Sequence, residues 1–476
     1  MIDSFGAVAA EEEPVLDYFL TTDLVPRVEA RKTLLVLGRK GSGKTALVKY
    51  FTDSEGLTSL STALSFKSYP WGAHAEIVDK GASKSEAYIA SWTLLLSIEL
   101  AKMTLSLAAD KRHRSAKRIS KFLKTNYGTD SPKTSDVLGP EKLKLEGTFE
   151  PELFGNKLGS IGLRPSSQLT LGKEVHAICD SLLSATQALA QDQLRSDTLL
   201  LHLDELDQGL DTLDKDRESM LTGLILAARN IRNKFLEAEL GLSPIVYLRT
   251  DLWDQLRFSD KNKITEASAV HIGWDSGLLQ KLIELRASTK IGKAVKWDSL
   301  EDGELMRGSQ KKWSHIVGRT YLRPRDCIKF CNEALEQVKH RDNTNWLFTN
   351  PDISNARDGY SDYLKRELDD EINPHWPDWT DALDALSANS KVTFTRPDFD
   401  ALFNDKYPSN SHTASTALES LFNFSVVGYL KTSGYGGTSW VFKHESPDAR
   451  WDPNASKFKV HPGLKEYCRL KEERGQ

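Results

Sequence analysis

At 476 residues with a formal charge of −4, the chain exceeds one comfortable hydrophobic core and carries no overall basic field. Two or three domains are therefore expected, and nucleic-acid contact would need a local basic patch. No apolar run approaches the roughly 20 residues of a membrane span, and the N-terminal MIDSFGAVAAEEEPVL is acidic where a signal peptide is basic, which argues against a membrane partner and for the cytoplasm.

The first informative element is the apolar strand Leu34–Leu37, which runs directly into GxxxxGKT from Gly38 to Thr45. Glycines at Gly38, Gly41 and Gly43 let the backbone turn its N–H groups around a polyphosphate, and the helix that follows adds its N-terminal dipole. The expected nucleotide-binding stretch is Gly38, Arg39, Lys40, Gly41, Ser42, Gly43, Lys44, Thr45 and Ala46, with Lys44 on the β- and γ-phosphates and the Thr45 hydroxyl on Mg²⁺.

Leu60–Phe66 reads as a second strand and Glu86–Met103 as a buried helix. Lys111–Lys124 is basic with Ile119, Phe122 and Leu123 on an apolar face, and Leu143–Leu163 alternates like a hairpin; both fall in what reads as an insertion over about 105–171. Arg112, Arg114, Lys117, Arg118 and Lys121 are the residues there that offer contact with nucleic acid, against the plainer reading of a solvated face.

After a helix over Lys173–Arg195, the run Thr198-Leu-Leu-Leu-His-Leu-Asp204-Glu205 has the continuous apolar character of a strand inside a parallel sheet. Its acidic end supplies what triphosphate hydrolysis requires: Asp204 to organise Mg²⁺ and Glu205 as general base. Asp207 completes DELD, which superficially matches a helicase box, but no second nucleotide-binding lobe follows, and no LSGGQ-like signature of an ABC-type ATPase precedes it.

A helix over Arg217–Leu240 leads to the strand Pro244–Asp251, where Arg249 would face the γ-phosphate, and Ala269–Trp274 is a third strand candidate. Ser276–Val338 looks helical, with Arg323 and Arg325 flanking Pro324 at a helix start. Arg323 is weighed as a nucleotide-sensing residue against a capping arrangement with Asp326, and Arg257 as an arginine finger for a neighbouring subunit. Cys327 and Cys331, at i and i+4, read as core packing; with Cys179 and Cys468 they are too scattered for a disulfide framework or a zinc site. A boundary is read at 343–352, then a helix over Ser361–Ile372, and then helices followed by strands around SGYGG, as in a winged helix.

The expected fold is thus α/β: a P-loop sheet over 1–275, a helical lid over 276–345 and a winged-helix-like domain over 346–476. With LGRKGSGKTAL, Ser91-Trp92, HLDELDQG, YLRTDLWDQL, IGWD, YLRPRDCIKF, FSVVGYL and VHPGL assembled, the chain resembles bacterial P-loop ATPases near the origin-recognition and STAND branch of the AAA+ superfamily. The resemblance implies a Mg-dependent ATPase switch that controls an effector protein encoded nearby, often in antiphage defence, and that works as a homo-oligomer. In STAND relatives a winged-helix histidine touches the β-phosphate, and His461 is the position here that matches. The alternative is an origin-recognition-like ATPase that holds DNA with the winged helix and the basic helix.

Overall fold

The computed structural model describes residues 2–54, 57, 59–66, 84–138, 152–153, 156–157, 173–194, 198–206, 214–341, 345–432 and 437–472. They form two compact units. A sheet unit comprises Thr21–Arg39 and Lys44–Ile272; a helical unit comprises Met1–Leu20, Lys40–Gly43 and Gly273–Gln476.

The sheet unit runs α1 (Leu24–Glu29), β1 (Leu35–Gly38), α2 (Lys44–Asp53), β2 (Ser59–Ser65), α3 (Lys84–Leu107), α4 (Arg114–Tyr127), α5 (Thr134–Leu138), β3 (Glu152–Leu153), β4 (Asn156–Lys157), α6 (Lys173–Gln193), β5 (Thr198–Asp204), α7 (Lys215–Glu237), β6 (Leu242–Arg249), α8 (Thr250–Gln255), α9 (Lys261–Ser268) and β7 (Ala269–His271). The main sheet is parallel, in the order β2-β5-β6-β1-β7. β1 and β6 are buried at every position, as are all residues of β5 after Thr198, because parallel strands covered on both faces need apolar side chains on both. Helices α3, α6 and α7 supply one side of this core, with Trp92 fully buried and its indole N–H donating to Met220 O at 3.0 Å. The hairpin expected over Leu143–Leu163 is seen only as the antiparallel pair β3–β4; the rest of it, like Asp207, lies outside the described residues.

The helical unit holds α10 (Ser276–Ile291), α11 (Lys312–Val317), α12 (Pro324–His340), α13 (Asn350–Ile372), α14 (Trp379–Asn389), β8 (Thr393–Thr395), α15 (Arg396–Lys406), α16 (Ala414–Asn423), β9 (Val427–Thr432), β10 (Thr438–Val441) and β11 (Lys457–Val460). From α14 onward this is helix, strand, two helices and an antiparallel sheet in the order β10-β9-β11-β8, a winged-helix arrangement. One expectation is corrected. Asn350-Pro351-Asp352 is not a boundary but the first turn of α13, which begins well before Ser361, because Thr349 and Asp352 form a capping box and Pro351 suits a first turn. The N-terminal segment belongs to this unit's core: Phe5 N–H donates to Asn332 Oδ1 at 2.8 Å, and Asn332 Nδ2 donates back to Gly6 O at 2.9 Å.

Candidate nucleotide site

The loop after β1 takes the shape its glycines permit. Gly41 and Gly43 have φ of +76° and +100°, in the left-handed region that other residues avoid. At Gly41 space is closed too, since an added Cβ would stand 2.9 Å from that of Arg325. Helix α2 begins at Lys44, so the N–H groups of its first turn, including those of Thr45 and Ala46, lack intrahelical acceptors and carry the positive end of the helix dipole.

Within the sheet unit, β1 and β5 bring the catalytic candidates together at their carboxyl ends. Lys44 Nζ donates to Gly38 O at 3.0 Å and Arg39 O at 3.2 Å, folded back over the strand end. Asp204 is 4% exposed, and burial lifts its carboxyl to about 6, opposed by the Glu205 N–H, the Lys44 charge and the Thr45 hydroxyl, which donates to it. Glu205 follows with φ +62°, so the chain turns sharply as the strand ends, and its Oε2 accepts from Ser65 Oγ at the end of β2. Ser65 stands beside Asp204 in the sheet register. The sequence marked Ser65 only as part of a strand, and its neighbour relation to Asp204 needed the register.

Strand β6 lies between β1 and β5 and sets Arg249 beside Gly38. The Arg249 side chain is buried and makes a bidentate pair with Asp251, Nε–Oδ1 3.1 Å and Nη2–Oδ2 2.7 Å. Arg257, exposed after α8, donates to Leu256 O at 3.1 Å.

In the helical unit the loop residues Lys40–Gly43 are closely held. Arg323 is 1% exposed; it donates through Nε to Asp326 Oδ2 at 2.9 Å, through Nη1 to Lys40 O at 3.0 Å and to Glu371, while its Nη2 is buried without a hydrogen-bond partner. The Arg323 guanidinium is kept charged: burial opposes this, but Asp326 and Glu371 raise its pKa well beyond the ordinary range. Lys40 Nζ lies 2.6 Å from Asp370 and 3.5 Å from Glu367, which also pairs with Arg325 at 3.1 Å. Trp274 donates its indole N–H to Ser42 O at 2.8 Å. Asp326 is ion-paired with Arg323 without forming a side-chain cap at the start of α12, and its Oδ2 also accepts from Tyr321 N–H at 3.0 Å. Glu367, Asp370, Glu371 and Trp274 were not singled out for the loop, although the three carboxylates share one face of α13 at helical spacing.

His461 is 2% exposed, its Nδ1 accepts from Gly463 N–H at 3.1 Å, and its ring packs against Tyr321, Phe442 and His444. Cys327 and Cys331 are fully buried, as core residues. On α4, Ile119, Phe122 and Leu123 are buried while Arg114, Lys117 and Lys121 are exposed, as is Arg112 just before the helix; Arg118 is half-buried. The helix of the winged domain nearest the wing, α16, carries no Lys or Arg, and its exposed side chains are Ser415, Thr416, Glu419 and Asn423. Among the described residues no group of three or more His, Cys, Asp or Glu side chains is placed to hold a metal, and no helix is long and apolar enough to cross a membrane.

Residues 277–369 match the model of the FunZ-associated C-terminal helical domain, a stretch from α10 to near the end of α13. Among curated proteins, the chain is similar to the "Putative transposon gamma-delta 80.3 kDa protein" of Escherichia coli (strain K12), 22% identical over 491 aligned positions that take in 96% of this chain and 66% of that protein. The chain thus spans a little under two thirds of that relative. Solved structures similar to it include the Aeropyrum pernix Orc1 protein in complex with DNA, at 11% identity and a TM-score of 0.37 over 98% of this chain and 97% of that one. Cdc6p from Pyrobaculum aerophilum matches at 11% identity and a TM-score of 0.30 over 94% and 89% of the two chains.

Proposed function

We propose that this chain is a Mg-dependent ATPase that works as a molecular switch. The reading rests on one observation: within the sheet unit, Lys44, Thr45 and Asp204 meet at the carboxyl ends of β1 and β5. In this reading Gly38–Ala46 bind the phosphates through backbone N–H groups, and Lys44 leaves its two carbonyl partners for the β- and γ-phosphates. Thr45 and Asp204 offer hard oxygen donors side by side, which suits Mg²⁺; the ion would neutralise charge on the phosphates. Glu205, held by Ser65, accepts the proton of the attacking water. Arg249 exchanges Asp251 for the γ-phosphate, and the orphaned Nη2 of Arg323 supports its sensing role. The domain division we propose with this reading is 1–275 for the ATPase, 276–345 for the lid and 346–476 for the winged helix, with Met1–Leu20 packing into the helical unit although it precedes the ATPase in sequence.

The biological role we infer is control of an effector encoded nearby, in antiphage defence, by a homo-oligomer in the cytoplasm. ATP binding and phosphate release test the core of the reading. Lys44→Ala is expected to abolish ATP affinity, since its contacts exist in the ground state, whereas Glu205→Gln keeps binding and loses turnover; wild-type turnover by Glu205→Gln would refute the assigned base.

A second reading, DNA binding, is favoured by the exposed cations of α4 and opposed by the absence of cations on α16. If α4 holds duplex, affinity falls steeply with salt and the slope flattens when Arg114, Lys117 and Lys121 are replaced together by Ala. No shift at low salt would remove this reading.

A further inference from the structure

Arg319, on the turn after α11, is only 9% exposed, and its Nε is buried without a hydrogen-bond partner. Its neighbours do not relieve it. Arg357 Nε donates to His315 Nε2 at 3.0 Å, which fixes the proton of the neutral ring on Nδ1, and Nδ1 then donates to Gln310 Oε1 at 3.0 Å. Arg319 Nη1, 3.4 Å from that same Nδ1, consequently faces a donor and finds no acceptor there. The ring stays uncharged: burial, then Arg319, Arg357 and Lys465, push the His315 pKa down to about 3. Two carboxylates act on Arg319 from further off. Glu472 is already paired with Lys465 at 2.7 Å, and Glu466 has a buried Oε2 with no partner of its own.

A nearly buried guanidinium whose Nε has no acceptor is expensive to maintain, and the usual relief is an oxyanion that accepts from it. We propose that Arg319 and Arg357 form a second anion site, distinct from the phosphate loop, that takes the phosphate group of a small ligand. The chemistry fits on three counts. Guanidinium N–H groups match phosphate oxygens in pairs. A phosphate that keeps one P–OH can also donate to the orphaned Glu466 oxygen. Arg319 is nearly buried and Arg357 and Lys465 are half-buried, which suits a compact phosphate group better than a polymer backbone lying on the surface. All of these residues belong to the helical unit, so the site stands whether or not the chain hydrolyses ATP.

The test uses the full chain carrying Lys44→Ala, so that the phosphate loop does not report. Thermal unfolding and calorimetric titration are run with inorganic phosphate against chloride at matched ionic strength, and then with adenosine monophosphate and a short oligonucleotide. Phosphate or the monophosphate is expected to raise Tm with concentration, as a ligand of the native state must. Arg319→Gln and, at the more exposed position, Arg357→Gln should each weaken binding tenfold or more. In phosphate-free buffer Arg319→Gln should melt no lower than its parent, because it removes an unsatisfied charge. The proposal is overturned if phosphate and the monophosphate leave Tm unchanged, if both variants bind as the parent does, or if only the oligonucleotide binds. It also fails if Arg319→Gln and Glu466→Gln both lower Tm in phosphate-free buffer, since the two residues then form a structural ion pair.

Discussion

Replacing Asp204 by Asn is expected to stabilise the unliganded protein at neutral pH while abolishing its response to Mg-ATP. Asp204 is 4% exposed, and burial, the largest influence, raises its carboxyl from 3.8 to about 6 against the pull of Lys44 and Thr45. The folded state therefore holds the Asp204 proton about 3 kcal/mol more tightly than the unfolded chain does. Between those two values the native protein binds more protons, so this contribution to stability is complete below 3.8, drains as pH rises and is gone above about 6. The amide variant loses nothing on that path. Its advantage over wild type is expected to grow from about 1 kcal/mol at about pH 4.5 to about 3 kcal/mol at about pH 7.5. In a unit of this size that upper figure corresponds to roughly 6–12 °C in Tm. Urea unfolding at several pH values, followed by hydrogen exchange of β5 amides, reads the sheet unit directly. Added Mg-ATP should stabilise wild type and leave the variant unmoved. A variant less stable than wild type at about pH 7.5, or a gap that does not change with pH, would refute the argument that burial governs this carboxyl.

Arg249→Ala and Arg323→Ala are each expected to shrink the ratio of ATP to ADP affinity about tenfold, since a guanidinium aimed at the γ-phosphate loses its purpose when that group leaves; a competition assay that returns the wild-type ratio for both would make them structural residues, Arg249 of its Asp251 pair and Arg323 of its Asp326 and Glu371 pairs. An effector should co-purify with the chain in one nucleotide state only, and Glu205→Gln should trap that state if it is the ATP form. Pull-downs with ATP, with ADP and without nucleotide measure this, and full biological activity of the chain after deletion of its neighbouring genes would sink it.

What the sequence made legible was whatever residue type and spacing dictate locally. GxxxxGKT after an apolar strand can hardly be built otherwise, and β5 and β6 announce themselves because strands buried on both faces are apolar throughout. The ordering of Asp204 and Glu205 followed from the same run. Contacts across long separations were hidden. Nothing in the neighbourhood of Lys40 points to Asp370, and the Ser42–Trp274 hydrogen bond depends on a turn more than two hundred residues away. Side-chain direction was hidden as well: Arg249 was read toward a phosphate, yet two residues on, Asp251 is within reach of the same guanidinium. The first turn of α13 is not legible from the sequence, because Asn-Pro-Asp is turn chemistry until Thr349 is seen to cap it.

The joining of Met1–Leu20 to Gly273–Gln476 in one unit bears on how the chain is made. Phe5 and its hydrogen-bond partner Asn332 are 327 positions apart, so at about 5–20 residues per second the N-terminal segment waits roughly 15–65 s on the ribosome before its partner exists. Over that interval Phe5 and Val15, both buried in the finished protein, have no native contacts from the helical unit's later segments. The sheet unit, whose last strand is β7, is complete in sequence well before α12 has been synthesised. Synthesis in chain order gives it the earlier opportunity to fold, and the early-synthesised N-terminal residues are the part of the helical unit that a chaperone would have most time to meet.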